Sequence, residues 1–256
     1  MSEARLLSVR NVAVRYGSYI AVHGISLEVA EGEVVCLMGH NGSGKSSLMN
    51  AISGLVRPAA GEVWFDGARI DTVPTYQLLA RGLSHVLERR RLFPFMSVEE
   101  NLLLGAYLPK LRARRAEALD ASYAMFPALR ERRRQLASTL SGGQQQMVSI
   151  ARALMSQPRL IMLDEPFLGL SPRLVGEISE IITKISAQGM TVLFTEQAIQ
   201  QSLKLSDRGY ILESGRLALS GTSRELLADE RLHRIYMGLE PASDRRSSAP
   251  RASAQR

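Results

Sequence analysis

The chain has 256 residues and is 45% apolar, so it can form one large domain or two small ones around a substantial core. Its single cysteine, Cys36, excludes an intrachain disulfide and fits a reducing compartment. The net charge is +7, the N-terminus lacks the apolar core of a signal peptide, and no stretch approaches the roughly 20 apolar residues of a membrane span, so we expect a cytoplasmic protein.

Much of the positive charge lies in arginine clusters at residues 89–91, 112–115, 130–134 and 245–256. Such clusters can favour nucleic acid, an anionic membrane surface or an acidic partner. For the second and third clusters we favour solvated helix faces. Aromatic residues are only 5% of the chain, too few to interleave with the arginines as in single-strand binding, so no nucleic-acid partner is expected.

The N-terminal part predicts short strands at residues 6–14, 25–29 and 34–38. A helix follows Gly44, and residues 61–70 predict a hairpin. A helical insert is expected at about residues 97–155. It opens at Ser97 and Glu100, which have capping-box spacing, and contains an arginine-rich amphipathic helix at residues 112–125.

A strand–helix–strand unit follows the insert, with strands at residues 160–163 and 191–195 and Pro172 at the first helical position. Such a unit requires parallel strands. A terminal hairpin is predicted at residues 210–219. After Gly238 the composition shifts to Ser, Ala, Pro and Arg, so we predict one domain over residues 1–238 and a basic, disordered tail at 239–256.

The segment GHNGSGKSS fits the pattern G-x-x-x-x-G-K-[ST] between an apolar strand and a helix. Its glycines allow backbone N–H groups to turn toward phosphates, Lys45 supplies a charge for the β- and γ-phosphates, and the Ser46 hydroxyl can bind Mg²⁺. The predicted nucleotide-binding residues are Gly39, His40, Asn41, Gly42, Ser43, Gly44, Lys45, Ser46 and Ser47.

The segment LIMLDEP places two acids at the end of an apolar strand, where open α/β sheets bind ligands. Asp164 would hold Mg²⁺, and Glu165 would act as the general base that activates water. A helix cap would explain this pair if it stood alone. Together with the phosphate loop it predicts a nucleoside triphosphatase that uses ATP and Mg²⁺.

The segment LSGGQ, which is Leu140, Ser141, Gly142, Gly143 and Gln144, starts a helix without the cap and apolar face that a helix start normally has. With this segment the chain resembles, over about residues 6–238, the ATP-binding subunits of ABC transporters. The resemblance implies an α/β P-loop NTPase core of ABC type with an N-terminal antiparallel β region and an α-helical insert. It also implies a head-to-tail dimer in which LSGGQ faces the γ-phosphate held by the other subunit.

The resemblance assigns further positions and shows two departures. Tyr16 lies where the family stacks a ring on adenine, and Ser171 where it usually carries Asp. Glu88 replaces the usual glutamine, as a candidate catalytic residue and Mg²⁺ ligand, and Gln197 replaces the usual catalytic histidine.

Residues around these departures resemble one branch, the paired ATPases that energise uptake of branched-chain and other hydrophobic amino acids, amides or urea. Within it, Leu87 replaces an expected proline and Arg89 an expected glycine. The implied partners are a sister ATPase or a second copy, two membrane permease subunits that would dock near residues 89–96, and, indirectly, an external solute-binding protein. The chain would lie peripherally on the inner face of the cell membrane.

Two alternatives remain open at this level. The basic clusters are compatible with a non-transport ABC ATPase acting on nucleic acid or ribosomes, although the chain lacks a long coiled-coil insert or a second cassette. Gln197 is compatible with a module that binds ATP without turnover, although Lys45, Ser46, Asp164 and Glu165 are all present.

Overall fold

The computed structural model describes residues 5–232, so the predicted disordered tail at 239–256 lies outside the described residues. The strands are β1 Arg5–Tyr16, β2 Tyr19–Ala30, β3 Val34–Met38, β4 Ala60–Phe65, β5 Ala68–Arg69, β6 Leu83–Val86, β7 Leu160–Leu163, β8 Thr191–Glu196, β9 Arg208–Glu213 and β10 Arg216–Thr222. The helices are α1 Lys45–Ile52, α2 Thr75–Ala80, α3 Val98–Leu104, α4 Pro109–Arg112, α5 Arg115–Met125, α6 Pro127–Glu131, α7 Gly142–Leu154, α8 Pro172–Ala187, α9 Ile199–Leu205 and α10 Ser223–Ala228.

A six-stranded sheet lies at the centre of the fold in the order β10-β9-β3-β8-β7-β6. Strands β6, β7, β8, β3 and β9 are parallel, and β10 is antiparallel to β9. The parallel pairing of β7 with β8 confirms the strand–helix–strand unit, with α8 as its crossover. The terminal hairpin is β9 and β10.

The N-terminal antiparallel region is a four-stranded sheet in the order β2-β1-β4-β5. Its first two strands are longer than predicted, because β1 and β2 pair as far as Tyr16 and Tyr19 on either side of a two-residue turn. The missed residues 19–24 of β2 do not alternate strictly between apolar and polar, so they gave no period-2 pattern to extend the prediction. The hairpin at residues 61–70 forms as β4 and β5.

Each of the five parallel strands of the central sheet contributes side chains to two cores. In β3, Val34, Cys36 and Met38 pack on the side that holds α7, α8 and the insert, whereas Val35 and Leu37 pack toward α1 and the four-stranded sheet. Successive side chains of a strand point to opposite faces, so a strand buried on both sides has an uninterrupted apolar sequence. This explains why all five residues of β3 are buried.

Helices alone connect β6 to β7, as expected for the insert. The predicted capping box at the start of α3 is present, with Ser97 accepting from the Glu100 N–H and Glu100 accepting from the Ser97 N–H. The arginine-rich helix begins at Arg115 rather than at residue 112, because Arg112 ends the separate short helix α4. Pro109 starts α4, and Arg114 leaves helical geometry before α5 begins.

Asn101 fixes the segment before α3 to the body of the insert. Its side chain is fully buried. Asn101 Oδ1 accepts the Phe93 N–H at 3.0 Å, and Nδ2 donates to the carbonyl groups of Phe93, Met96 and Ser97 at 3.0, 3.3 and 3.0 Å. The three carbonyl oxygens also accept backbone N–H groups, so an apolar residue at position 101 would leave the Phe93 N–H without this partner and would remove one of two hydrogen bonds from each carbonyl.

We expect Asn101→Ala to lower the free energy of unfolding by about 2–4 kcal/mol, because it removes four hydrogen bonds of a fully buried side chain and leaves the Phe93 N–H without its Asn101 partner. Urea denaturation followed by circular dichroism measures this change. Asn50→Ala is the matched control, a helical asparagine outside this network that should change stability by less than about 0.5 kcal/mol. Equal midpoints for the two variants would contradict the assignment.

Candidate functional site

The carboxyl ends of three parallel strands bring the predicted site residues together. Strand β3 leads into the phosphate loop, β7 into Asp164 and Glu165, and β8 into Gln197. Because β3 pairs with β8 and β8 with β7, these ends lie at one edge of the sheet. They form one wall of a pocket of about 350 Å³.

Lys45 lies buried at the floor of this pocket, with 4% of its surface exposed. Its Nζ donates to the carbonyl oxygens of Gly39 and His40 at 2.9 and 3.2 Å, so the loop curls around its own ammonium group. Gly44, which precedes α1, has a φ of 100°, and a Cβ atom there would lie 2.7 Å from the Ala21 carbonyl oxygen. Only glycine fits this position without strain.

A chain of hydrogen bonds connects the phosphate loop to the acids. Ser46 Oγ donates to Asp164 Oδ1 at 3.1 Å, and Thr195 Oγ1 donates to the same oxygen at 2.7 Å. Thr195 Oγ1 also accepts the Glu165 N–H at 2.9 Å. This bond supports Glu165 in a left-handed backbone conformation, with a φ of 46°, that costs roughly 1–2 kcal/mol.

The candidate site has a surplus of carboxylates. Burial raises the pKa of Asp164, and the nearby charges of Glu165 and Glu88 raise it further, against hydrogen bonds from Thr195 and Ser46 that lower it. Lys45 Nζ, at 3.4 Å from Glu165 Oε1, is the cation paired with this group. The Ser46 hydroxyl and the carboxylates of Asp164 and Glu88 are oxygen ligands of the kind that Mg²⁺ prefers. A bound cation would relieve the repulsion between these carboxylates. Residues 5–232 contain no cluster of three or more His, Cys, Asp or Glu side chains able to hold a metal alone, so phosphate and water oxygens would complete the shell.

Gln197 lies against Glu165. Its Nε2 is 3.1 Å from each Glu165 carboxylate oxygen and donates to that carboxylate. The neighbouring Glu196 accepts the N–H groups of Phe167 and Gln197 at 3.0 and 3.1 Å, and burial raises its pKa. Thr195 and Glu196 thus organise the loops around the acids. Sequence reasoning missed both roles, although their position at the end of a strand beside the acidic strand was a usable signal.

Two tyrosines line the far side of the pocket. Tyr16 is 44% exposed, and Tyr19, which sequence reasoning missed, is 62% exposed and lies directly opposite it across the β1–β2 turn. Side chains of directly opposed residues project from the same face of a hairpin. The remaining predicted residues in the pocket lining are Asn41, Gly42, Gly44, Ser46, Ser47 and Glu88, and Ala21 and Leu168 are additional lining residues.

Local structure explains much of the polar start of α7, which corrects the expectation that this helix lacks a cap. Ser141 is the N-cap and forms a capping box with Gln144, in which Ser141 Oγ accepts the Gln144 N–H at 3.4 Å. A Cβ atom at Gly143 would lie 2.4 Å from Leu174 Cδ1, and one at Gly142 would lie 3.0 Å from Arg90 Nη2. Gly143 therefore has a packing reason as well as the predicted ligand-facing one, whereas a side chain at Gly142 would only displace the end of the flexible Arg90 side chain.

The signature residues do not meet the phosphate loop within one chain. None of residues 140–144 lines the pocket formed by the described part of the chain. Ser141 is exposed at the surface of the insert. This separation is compatible with the expectation that LSGGQ reaches a nucleotide held by another subunit. That expectation stays a prediction.

The segment between Glu88 and α3 has an unusual backbone. Arg89, Arg90 and Arg91 have φ values of 62°, 65° and 46°. Leu92 packs against the core, whereas Phe93 and Phe95 are 52% and 86% exposed. Of the apolar residues in this segment, Leu92 therefore belongs to the core, and the rings of Phe93 and Phe95 do not.

The chain was compared with known proteins. The ABC transporter family model matches residues 22–168, more than half of the chain. The chain is 40% identical over 233 residues to the high-affinity branched-chain amino acid transport ATP-binding protein BraG of Pseudomonas aeruginosa, covering 91% of this chain and all of the relative. It is 33% identical over 238 residues to the lipopolysaccharide export system ATP-binding protein LptB of Haemophilus influenzae, covering 91% and 97%.

A solved structure supports the same assignment. The ADP conformation of MJ1267, an ATP-binding cassette of an ABC transporter, matches with a TM-score of 0.80 and 29% identity, covering 92% of this chain and 99% of the other. The expected fold class and the resemblance are therefore confirmed. With the phosphate loop, the acidic strand and LSGGQ in place, the chain belongs to the ABC transporter family as one of its ATP-binding, ATP-hydrolysing subunits.

Proposed function

We propose that this chain energises an importer of branched-chain or other hydrophobic amino acids, or of related amides or urea. The likeness to BraG and the residues of the branch around Glu88 and Gln197 support this substrate class. LptB is a relative too, so lipopolysaccharide export is the second candidate. The observation that carries ATP hydrolysis itself is the contact network in which Lys45 pairs with Glu165 and Ser46 bonds to Asp164, at a pocket that Lys45, Ser46 and Glu165 line.

The phosphate loop would bind the triphosphate. Lys45 Nζ, already directed into the loop by two carbonyl groups, would exchange its contact with Glu165 for the β- and γ-phosphate oxygens. The N–H groups at the start of α1 add a favourable field for the anion. Ser46, Asp164 and Glu88 would hold Mg²⁺, which supplies charge neutralisation to the phosphates when bound.

Once Lys45 has released the Glu165 carboxylate, this carboxylate would accept a proton from the attacking water. The left-handed backbone at Glu165 and the hydrogen bond from its N–H to Thr195 fix the direction of this carboxylate. Gln197 would hold the carboxylate through its amide. Because an amide carries no charge, Gln197 can orient groups by hydrogen bonding but cannot stabilise them as a protonated histidine would.

The family implies an ATPase dimer and membrane partners. In our proposal, Ser141 and the amides of Gly142 and Gly143 complete the site of the other ATPase, which is a sister chain or a second copy. Each nucleotide would then hold two subunits together, and hydrolysis would release them. The gap between LSGGQ and the phosphate loop of the same chain supports this arrangement.

The membrane permease subunits would dock beside the insert. A groove of about 530 Å³ lies between α2, β6 and the insert, and its lining includes Tyr76, Phe93 and Tyr107. These three side chains are 68%, 52% and 46% exposed. An apolar groove rimmed by exposed aromatic rings is suited to a protein partner. In residues 5–232 no helix is long and apolar enough to cross a bilayer.

We expect Glu165→Gln to lower Mg²⁺-ATP turnover by at least about 100-fold, because the general base is lost. Lys45→Ala should abolish turnover and weaken ATP binding, because the phosphates lose their cation. Phosphate release measures turnover, and Glu180→Gln is the control, since its side chain is 73% exposed on α8. Undiminished turnover in Glu165→Gln would show that Glu165 is not the general base.

Gln197→His should raise turnover by roughly threefold or more, because an imidazole can carry positive charge beside the γ-phosphate. The measurement is the steady-state rate in the assembled complex, with the partner ATPase site inactivated so that only this site reports. If the rate is the same with glutamine and histidine, the proposal that Gln197 slows this site is wrong.

Phe93→Ala should remove the stimulation of ATPase activity by the membrane subunits, because it removes an exposed ring from the groove, with little change in the activity of the isolated chain. The assay compares the chain alone with the complex in vesicles. Leu217→Ala is the control, since Leu217 is 37% exposed on β10 at the opposite edge of the sheet. Full stimulation of Phe93→Ala would place docking elsewhere.

A further inference from the structure

Three consecutive arginines, Arg89, Arg90 and Arg91, form a left-handed turn directly after Glu88. Left-handed backbone is unfavourable for residues with a Cβ atom, and it occurs mainly as isolated positions. Such a run persists only where surrounding structure holds it. Within the turn, the Arg91 N–H donates to the Arg89 carbonyl at 2.7 Å.

Further restraints on this turn come from α7, the helix that LSGGQ starts. Ser149 Oγ donates to the Arg90 carbonyl oxygen at 2.8 Å. Arg152 Nη2 donates to the Arg91 carbonyl oxygen at 2.9 Å and to that of Arg90 at 3.4 Å. Ser149 is 2% exposed, so water does not compete for its hydrogen bond.

The turn connects three parts of the molecule. Before it, Glu88 lines the nucleotide pocket. After it, the ring of Phe93 lies 6.0 Å from the guanidinium carbon of Arg152 and forms part of the groove lining. Beside it, the Arg90 guanidinium lies against Gly142 at the start of α7. A change in the position of the turn would therefore also displace Glu88, Phe93 and the contact with the start of α7.

We propose that Ser149 and Arg152 are positioning residues that hold the left-handed turn and thereby fix Glu88 at the Mg²⁺-nucleotide pocket. Neither residue lies in the nucleotide pocket. They act through the backbone carbonyl groups of Arg90 and Arg91, whereas the Arg89 side chain contacts Glu88 directly, with Nε 3.5 Å from Glu88 Oε1. This inference rests on the proposed role of Glu88 toward Mg²⁺.

The test uses Ser149→Ala with Ser156→Ala as its matched control. Both serines are buried, at 2% and 5% exposure, and each donates one hydrogen bond to a backbone carbonyl, but Ser156 bonds to Ala153 within its own helical segment. We expect Ser149→Ala to accelerate amide hydrogen exchange at residues 88–93 of the nucleotide-free protein. It should also raise the Mg²⁺ concentration needed for half-maximal binding of a fluorescent ATP analogue by about fivefold, the effect of one lost hydrogen bond. Ser156→Ala should change neither quantity.

A second series varies Arg152. Arg152→Ala should raise the Mg²⁺ requirement more than Ser149→Ala does, and Arg152→Lys should recover part of the loss because it keeps one charged donor. Exchange at residues 88–93 that is unchanged in Ser149→Ala overturns the proposal. A Mg²⁺ requirement that shifts in Glu88→Gln but not in Ser149→Ala also overturns the proposal. That result would leave the role of Glu88 toward Mg²⁺ intact. An unchanged requirement in Glu88→Gln overturns that role together with the proposal.

Discussion

The parallel pairing of β3 with β8, and of β8 with β7, is the constraint on which the candidate site depends. It brings a phosphate loop, a pair of acids and Gln197 from three distant parts of the chain to one edge of a sheet. The hydrogen bonds of the backbone set this placement, and the side chains then form their own contacts across it. The bond from Ser46 to Asp164 and the ion pair between Lys45 and Glu165 are the result.

Around that edge of the sheet, several groups are held in states of unfavourable free energy. Asp164 and Glu196 have raised pKa values because they are buried, and Glu165 has a left-handed backbone. Buried charge and backbone strain are concentrated where function needs defined positions. In this molecule the compensating interactions come from outside the reacting groups. Thr195 supports Glu165, and α7 supports the turn after Glu88.

Sequence periodicity predicted the apolar strands and the strand–helix–strand unit because β3, β7 and β8 are buried on both faces. The residues of β3 and β7 are uniformly apolar, and β8 has an apolar run at residues 192–194 between two threonines. It underestimated β1 and β2, where pairing extends through residues that do not alternate strictly between apolar and polar. The phosphate loop and the acids were predictable because their chemistry needs fixed residue types at fixed spacing. The support from Thr195 and the left-handed turn at Arg89 were not, since they depend on contacts between distant segments or on backbone angles that side-chain identity does not specify. The capping box of Ser141 and Gln144 was predictable, because it has the same spacing as that of Ser97 and Glu100, and it was overlooked.

The bond between Ser46 and Asp164 joins residues 118 positions apart, with the whole helical insert between them. A partly folded chain that lacks β7 or β8 therefore has a phosphate loop but no complete pocket. Nucleotide that binds only the finished pocket stabilises the entire sheet by mass action, by about 2.7 kcal/mol at 100 times its dissociation constant. ATP is in this sense a structural ligand as well as a substrate, because only the completely folded sheet forms the pocket that binds it.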